Sequence, residues 1–291
     1  MVFKDQPGID LHIHSTASDG SLTPSEIIHL AQELNLGAIA ITDHDSLEGS
    51  KEAIEAGIPP SIKFVSGVEI SAAYPPFFPG SGSFHILGYC IRLDDSALNQ
   101  SLAKLRQARK SRNPEILRRL NRLGYPLSLE EVRREVGQGQ IGRPHIARAM
   151  KAKGFVKSID EAFDSFLGND APAYVDKYRI ECADAVQTIR AAGGISVLAH
   201  PGLLNISSEN ELNHLVGSLK ELGIQGIEVH YPEHTPQQIK KYAELAERYE
   251  LLMTGGTDFH GSIIPEIEMG SGNGSLFIPY ELYEKMVAKK P

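Results

Sequence analysis

The chain has 291 residues, 41% of them hydrophobic and 23% charged, which is enough for a large buried core and ordinary for a globular protein. No apolar run approaches the roughly 18 residues a membrane-crossing helix needs, and MVFKDQPGID at the N-terminus has no apolar secretory core, so a cytoplasmic location without membrane contact is expected. Two cysteines, Cys90 and Cys182, exclude a disulfide framework or a Cys-based metal site, so any metal falls to His and carboxylates.

In chain order, GIDLHIH reads as a strand, followed by the helix TPSEIIHLAQELNLG. Thr23 and Glu26 form a capping-box pattern there, with Pro24 in the first helical position. AIAITDH, SLEGSKEAIEAG and IKFVSGVEIS continue as strand, helix and strand, and FHILGY adds another strand. From 99 to 173 strand alternation stops and helical stretches take over, among them QSLAKLRQARKSRNPEILRRLNRLG, which Asn113-Pro114 is expected to break or kink, and RPHIARAMKAKG. Afterwards ADAVQTIRAAGG, ISVLAHPG, ELNHLVGSLKELG, IQGIEVHYP, TPQQIKKYAELAERYE and LLMTGGTDFHG resume the alternation, and Thr235 to Gln238 repeats the capping logic. The pattern is α/β and implies a parallel sheet or barrel, with functional groups at the C-terminal ends of its strands. Two segments, 1–98 and 174–291, would form the barrel, and 99–173 a small inserted helical subdomain.

The net charge of −8 conceals an asymmetry. Between Ser101 and Lys157 there are 15 Lys and Arg against 4 Asp and Glu, which leaves −19 on the rest. A basic insert suits an anionic partner and an acidic remainder suits cations, the plainer alternative being a solvated helical face.

Almost every strand ends in a histidine or carboxylate: His12 and His14, then Asp43-His44-Asp45, Glu69, His85, His200, Glu228 with His230, and Asp258 with His260. His-x-His on a strand puts both rings on one face, because side chains alternate with period two, so both can reach one ion. One such pair is weak evidence, but repetition at strand ends points to a multinuclear metal centre. His29 and His214 lie within helical stretches and fall outside the pattern. Asp10 has the strand-face geometry to orient a ligand imidazole from behind, and Asp43 or Asp45 could do so for His44, plain turn capping being the equal alternative for all three.

Together DLHIHSTASDG, ITDHDSLEG, GVEIS, HILGY, LAHP and TDFHG resemble the PHP family, named for polymerase and histidinol phosphatase. The resemblance spans both halves of the chain and implies a distorted (β/α)7 barrel. The insert, with IGRPHIA and APAYVDKYR, is similar to the bacterial branch that dephosphorylates nucleoside 3′,5′-bisphosphates and trims RNA from its 5′ end. Position by position, the resemblance implies one metal on His12, His14, Glu69 and Asp258, a second on Glu69, His85 and His200, and a third on Asp19, His44 and His260. Many relatives have His where this chain has Asp19, and an oxygen donor there favours a harder ion. Two or three divalent ions are therefore expected, Mn2+ first, with Zn2+ or Fe2+ as alternatives.

For substrate, Gly142-Arg143-Pro144-His145 opens a helix whose N-terminus, with Arg143 and His145 beside it, suits a phosphate. Lys177, Arg179 and Arg148 are further candidates. His230 and His234 are candidates to contact substrate or to protonate the leaving oxygen, and Asp19 could supply that proton if its metal site were empty. The expected reaction is hydrolysis of the 3′-phosphate of a nucleoside 3′,5′-bisphosphate, such as adenosine 3′,5′-bisphosphate to AMP, by a metal-activated hydroxide. Alternatives are 5′–3′ exoribonuclease action on short 5′-phosphorylated oligonucleotides, histidinol-phosphate hydrolysis, and non-catalytic RNA binding with a structural metal. The partner is thus a small nucleotide or short oligonucleotide, and no obligate protein partner is evident.

Overall fold

A computed structural model describes residues 7–76, 78, 84–136, 141–204, 206 and 208–290. Seven strands form one sheet in chain order: β1 (Ile9–Ile13), β2 (Ala38–Ile41), β3 (Lys63–Ala72), β4 (Phe84–Tyr89), β5 (Ile195–Leu198), β6 (Gly226–His230) and β7 (Leu252–Gly255). The ring closes just beyond the strands, where His14 N–H donates to the Phe259 carbonyl at 2.9 Å and Phe259 N–H to that of His12 at 3.3 Å. β1, β2 and β5 are buried along their whole length; β2 reads as a continuous apolar run, whereas β1 buries Asp10 and His12 among its apolar residues.

The expected parallel sheet is corrected at one strand, since β4 runs antiparallel to both β3 and β5. The connection 73–83 is shorter than the dozen or more residues a parallel crossover requires, which accords with antiparallel pairing. Reversal carries His85, near the start of β4, opposite Ser71 near the end of β3. It therefore reaches the same rim as the C-terminal ends of the other strands.

Helices α1 (Pro24–Glu33) and α2 (Glu48–Ala56) cover the first strands, and α1 begins with the anticipated capping box. Between β4 and β5 lie α3 (Ser96–Arg122), α4 (Leu129–Val136), α5 (Arg143–Ala152), α6 (Ile159–Ala162), a π-helical turn (Phe163–Leu167) and α7 (Cys182–Ala191). After β5 come α8 (Glu209–Glu221), α9 (Pro236–Arg248) and α10 (Tyr280–Ala288). No helix among the described residues is long and apolar enough to cross a membrane.

Of the expected break or kink, the break does not occur: α3 continues through Pro114. An interior proline costs a helix about 3 kcal/mol, but burial at both ends outweighs it. Leu98, Leu102 and Leu105 pack into a barrel cluster, while Ile116, Leu117 and Leu120 enter a second cluster with Val132, Ile146 and Met150. Beside the proline, the Asn113 amide donates to the Ile141 carbonyl at 2.7 Å. One rigid helix thus ties the basic insert to the barrel.

Candidate metal centre

At the rim, Glu69 occupies the middle of a ring of histidines. Its Oε1 lies 2.7 Å from His85 Nδ1 and 2.9 Å from His200 Nε2; its Oε2 lies 2.7 Å from His44 Nδ1, 3.3 Å from His14 Nε2 and 3.6 Å from His12 Nε2. Asp258 Oδ1 approaches His14 Nε2 at 3.0 Å and His12 Nε2 at 3.4 Å. Asp19 completes the far side, 3.6 Å from His260 Nε2 and 3.8 Å from His44 Nε2. All nine positions expected to ligate converge.

The grouping differs in detail from the expected one. His12, His14, Glu69 and Asp258 form one set of donors within 4.8 Å of one another, and Asp19, His44 and His260 form a second that also includes His14. A third set joins Glu69 and His85 to His44, with His200 Nε2 3.3 Å from His85 Nδ1. His44 faces Glu69 with one nitrogen and Asp19 with the other. Asp258 and His200 stand in left-handed backbone conformations, φ 54° and 26°. Such strain in non-glycine residues collects at functional sites.

These groups fit divalent cations. His12 Nε2, His14 Nε2, Asp19 Oδ1, Glu69 Oε2 and Asp258 Oδ1 are buried and face one another without hydrogen-bonding geometry. Buried polar atoms are rarely left this way unless an ion or water completes them. The donors are imidazole nitrogen and carboxylate oxygen without thiolate, a set that suits Mn2+, Fe2+ and Zn2+. Burial acts against charging His14, but Asp258 and Glu69 overcome it and push the ring up to about 10. Burial likewise opposes ionisation of Asp19, yet His44, His260 and His14 hold it well below the usual carboxylate range. Asp19 is thus held as a carboxylate among the histidines of the cluster.

Behind the ligands, the supporting carboxylates differ from those expected. Glu228 Oε1 lies 2.9 Å from His12 Nδ1, and its Oε2 accepts His200 N–H at 2.7 Å. Asp10 instead accepts the backbone N–H groups of His12, Thr257 and Gly270, at 3.2, 3.0 and 2.9 Å, and pins the loop after β7 to β1. Asp43 accepts from the hydroxyls of Ser15 and Ser18, each at 2.6 Å, and Ser18 Oγ is 3.3 Å from His14 Nδ1, so it supports His14 and not His44. Asp45 binds Ser71 and, at 3.1 Å, Arg109. Tyr231, unremarked in the sequence, donates to Asp258 Oδ2 at 3.1 Å.

A cavity of about 210 Å³ opens on this cluster, with Asp19, His44, His85 and His260 on one wall. Arg109, Arg112, Arg143, Lys177 and Arg179 line it as well. Arg109 and Arg112 come from α3, where sequence showed only a basic run; both are over nine-tenths buried. Arg112 Nε and Nη2 and Lys177 Nζ have no hydrogen-bond partner, and Lys177 sits 3.5 Å from Asp45. Burial, reinforced by neighbouring cations, lowers Arg112 to about 9 and Lys177 to about 7. Arg143 donates to the Leu167 carbonyl at 2.9 Å and lies 5.6 Å from the ring centres of both Phe163 and Tyr174. Arg179 donates to the Tyr174 hydroxyl at 3.0 Å and pairs with Asp176. Buried positive charge with donors to spare calls for an anion.

Other expected residues take different places. His145 is fully buried outside the cavity wall, its Nδ1 accepting Gly142 N–H at 3.0 Å, and burial lowers it to about 4, so it is a neutral cap of α5 and not a cation for phosphate. Arg148, also outside the wall, reaches the Ser262 hydroxyl at 3.3 Å. His230, at the end of β6, lies outside the wall too, with no ion pair to a candidate ligand among the described residues. His234 spends both nitrogens on backbone: Nδ1–H donates to the Val229 carbonyl at 2.9 Å, and Nε2 accepts Gly202 N–H at 3.1 Å. Neither is left for a leaving oxygen. A roomier groove of about 440 Å³, lined by residues of α8 and α9 such as Glu209, Lys241 and Arg248, contains no such cluster.

Residues 10–263 match the family model described as PHP domain. The 3′,5′-nucleoside bisphosphate phosphatase of Chromobacterium violaceum is 34% identical over 253 residues, 87% of each chain. The 5′-3′ exoribonuclease Rnm of Escherichia coli is 33% identical over 265 residues, 90% of this chain and 87% of that one. A crystal structure from Bifidobacterium adolescentis, provisionally described as a metal-dependent phosphoesterase, covers 98% of this chain and 97% of its own with a TM-score of 0.84 and 27% identity.

Proposed function

Because the chain belongs to the PHP family and is a phosphoesterase, we propose that it removes the 3′-phosphate of nucleoside 3′,5′-bisphosphates, adenosine 3′,5′-bisphosphate being the model substrate. One observation carries this reading: a single cavity joins the candidate metal ligands to five buried or half-buried cationic side chains. A substrate with one phosphate held by the metal ligands would leave Arg112 and Arg143, which have no carboxylate partner among the described residues, without an anion, whereas a substrate with two phosphates supplies one to each group of residues.

His12, His14, Asp19, His44, Glu69, His85, His200, Asp258 and His260 would hold two or three divalent cations, with Mn2+ preferred and Zn2+ or Fe2+ as alternatives. Bound there, such ions activate water at neutral pH and neutralise the oxygens of a phosphoryl group in flight. The protein's own groups do the rest. Arg112, Arg143, Lys177 and Arg179 grip the remote 5′-phosphate, and the rings of Phe163 and Tyr174 hold the Arg143 guanidinium in place. Glu228 fixes the His12 tautomer, and Asp43 acts through Ser18 on His14.

A second reading, 5′-3′ exoribonuclease action on short oligonucleotides, is favoured by the Escherichia coli relative and uses the same grip. Purified protein with added Mn2+ should release phosphate from bisphosphonucleotides and leave the nucleoside 5′-phosphate. Mononucleotide ladders from a 5′-phosphorylated oligomer, without phosphate release from the small substrates, would replace the first reading by the second. Turnover of histidinol phosphate alone would reject both.

A further inference from the structure

His200 is held in an awkward position. It leaves β5 with φ 26° and ψ 63°, then a 3-10 turn follows (Pro201–Leu203). Left-handed backbone is unfavourable for a residue with a side chain and persists only where surroundings impose it. Those surroundings come from β6 and the loop beyond it. Glu228 takes the His200 N–H, and the His234 ring spans from the Val229 carbonyl to the Gly202 amide. That ring is itself wedged between Tyr231 and Tyr242, with centroids 5.2 and 4.8 Å away. A Cβ on Gly202 would stand 2.5 Å from His234 Cδ2, so turn and ring meet without slack.

We propose that His234 is a positioning residue for the metal centre: by bracing the Gly202 amide against Val229 it fixes the turn that aims His200 at Glu69 and His85. The inference rests on the reading of the cluster as a divalent-cation centre. The His234 ring ends on backbone at both nitrogens and lines no part of the cavity, so its effect must pass through His200. Outer partners that orient a ligand in this way commonly change metal affinity about 10–100-fold.

The test uses the full chain, stripped with chelator and reloaded at defined free Mn2+, with bound metal counted by elemental analysis and followed by electron paramagnetic resonance. In His234→Ala, one class of Mn2+ should bind about 10–100-fold more weakly while the others and the far-ultraviolet circular dichroism stay as in the parent. His234→Gln, which keeps an acceptor near the Nε2 position, should recover most of that loss. An unchanged Mn2+ isotherm in His234→Ala overturns the inference, as does equal weakening of every class of bound ion in a protein that keeps its fold. Should His234→Ala fail to fold, Gly202→Ala decides: selective weakening supports the brace and an unaltered isotherm rejects it. A parent chain that takes up no Mn2+, Zn2+ or Fe2+ would instead bring down the metal-centre reading itself, a result visible before any variant is made.

Discussion

Glu228 Oε1 lies 2.9 Å from His12 Nδ1, and both side chains are fully buried. With a cation bound, the carboxylate would keep the ring proton on Nδ1 and leave Nε2, on the side of Glu69 and Asp258, free to ligate. Glu228→Gln keeps the volume but can place an amide N–H against Nδ1, which moves the proton to the side where a cation must bind. Metal affinity should drop about 10–100-fold with the fold intact. Equilibrium dialysis against buffered Mn2+ measures it, and parental affinity would show that Glu228 does not select the tautomer.

Arg112 presents Nε and Nη2 to the cavity without partners. Replacing it by Met removes a buried cation and a charged hydrogen bond to substrate, the latter about 1.5–3 kcal/mol. For a nucleoside 3′,5′-bisphosphate, KM should rise about 10–100-fold with kcat nearly constant. Hydrolysis of p-nitrophenyl phosphate, which lacks a second phosphate, should stay near the parental rate. The free protein's Tm should not fall, since the lost charge was uncompensated. Equal losses on both substrates would place Arg112 on the metal side of the cavity.

Gly49 lies inside α2, where alanine would ordinarily stabilise a helix by about 1 kcal/mol. Here the added Cβ would stand 1.9 Å from Asp43 Oδ2 and 2.6 Å from Ser15 Oγ, in the clamp that reaches His14 through Ser18. The steric term wins, so Gly49→Ala should lower stability by about 1–3 kcal/mol and weaken metal binding as well. Thermal unfolding of the metal-free and Mn2+-loaded protein separates the two effects. A raised Tm in both would mean that the clamp yields.

The convergence of the strand-end residues was legible because strand periodicity fixes which way His12 and His14 point, and because residues at strand ends must meet if the sheet closes, whereas Asp19 and the division among ions came only from the family resemblance. Periodicity carries no strand direction, so the reversal of β4 had to come from the short 73–83 connection. Glu228 lies 216 positions from the ring it orients, whereas Asp10 lies on the same strand face as His12 but its carboxylate is taken up by backbone amides. Arg109 and Arg112 read only as members of a basic run, either solvated or facing an anion, since a helix that buries arginines against an anion site has the same composition as one that exposes them. Nor could His234 be separated from an acid by sequence: only its two backbone bonds show that both nitrogens are occupied.

Lys177 gives the cavity a pH dependence whose sign can be worked out. Burial first, then Arg109, Arg112 and Arg179, lower its ammonium from 10.5 to about 7, against the pull of Asp45. The unfolded chain holds this proton more tightly than the folded one. The lysine's unfavourable contribution to stability therefore grows as pH falls from 10.5 towards 7 and levels off below. An anion in the cavity favours the charged form, so binding should take up a proton above about pH 7, and affinity should fall as pH rises through that range. Sulfate does not titrate there, which makes it the cleaner ligand. Calorimetry of sulfate binding at pH 8, in two buffers of contrasting ionisation enthalpy, should give different apparent heats with the parent chain and equal heats with Lys177→Met. Equal heats in the parent would mean that Lys177 keeps its proton throughout, with Asp45 outweighing the surrounding guanidinium groups.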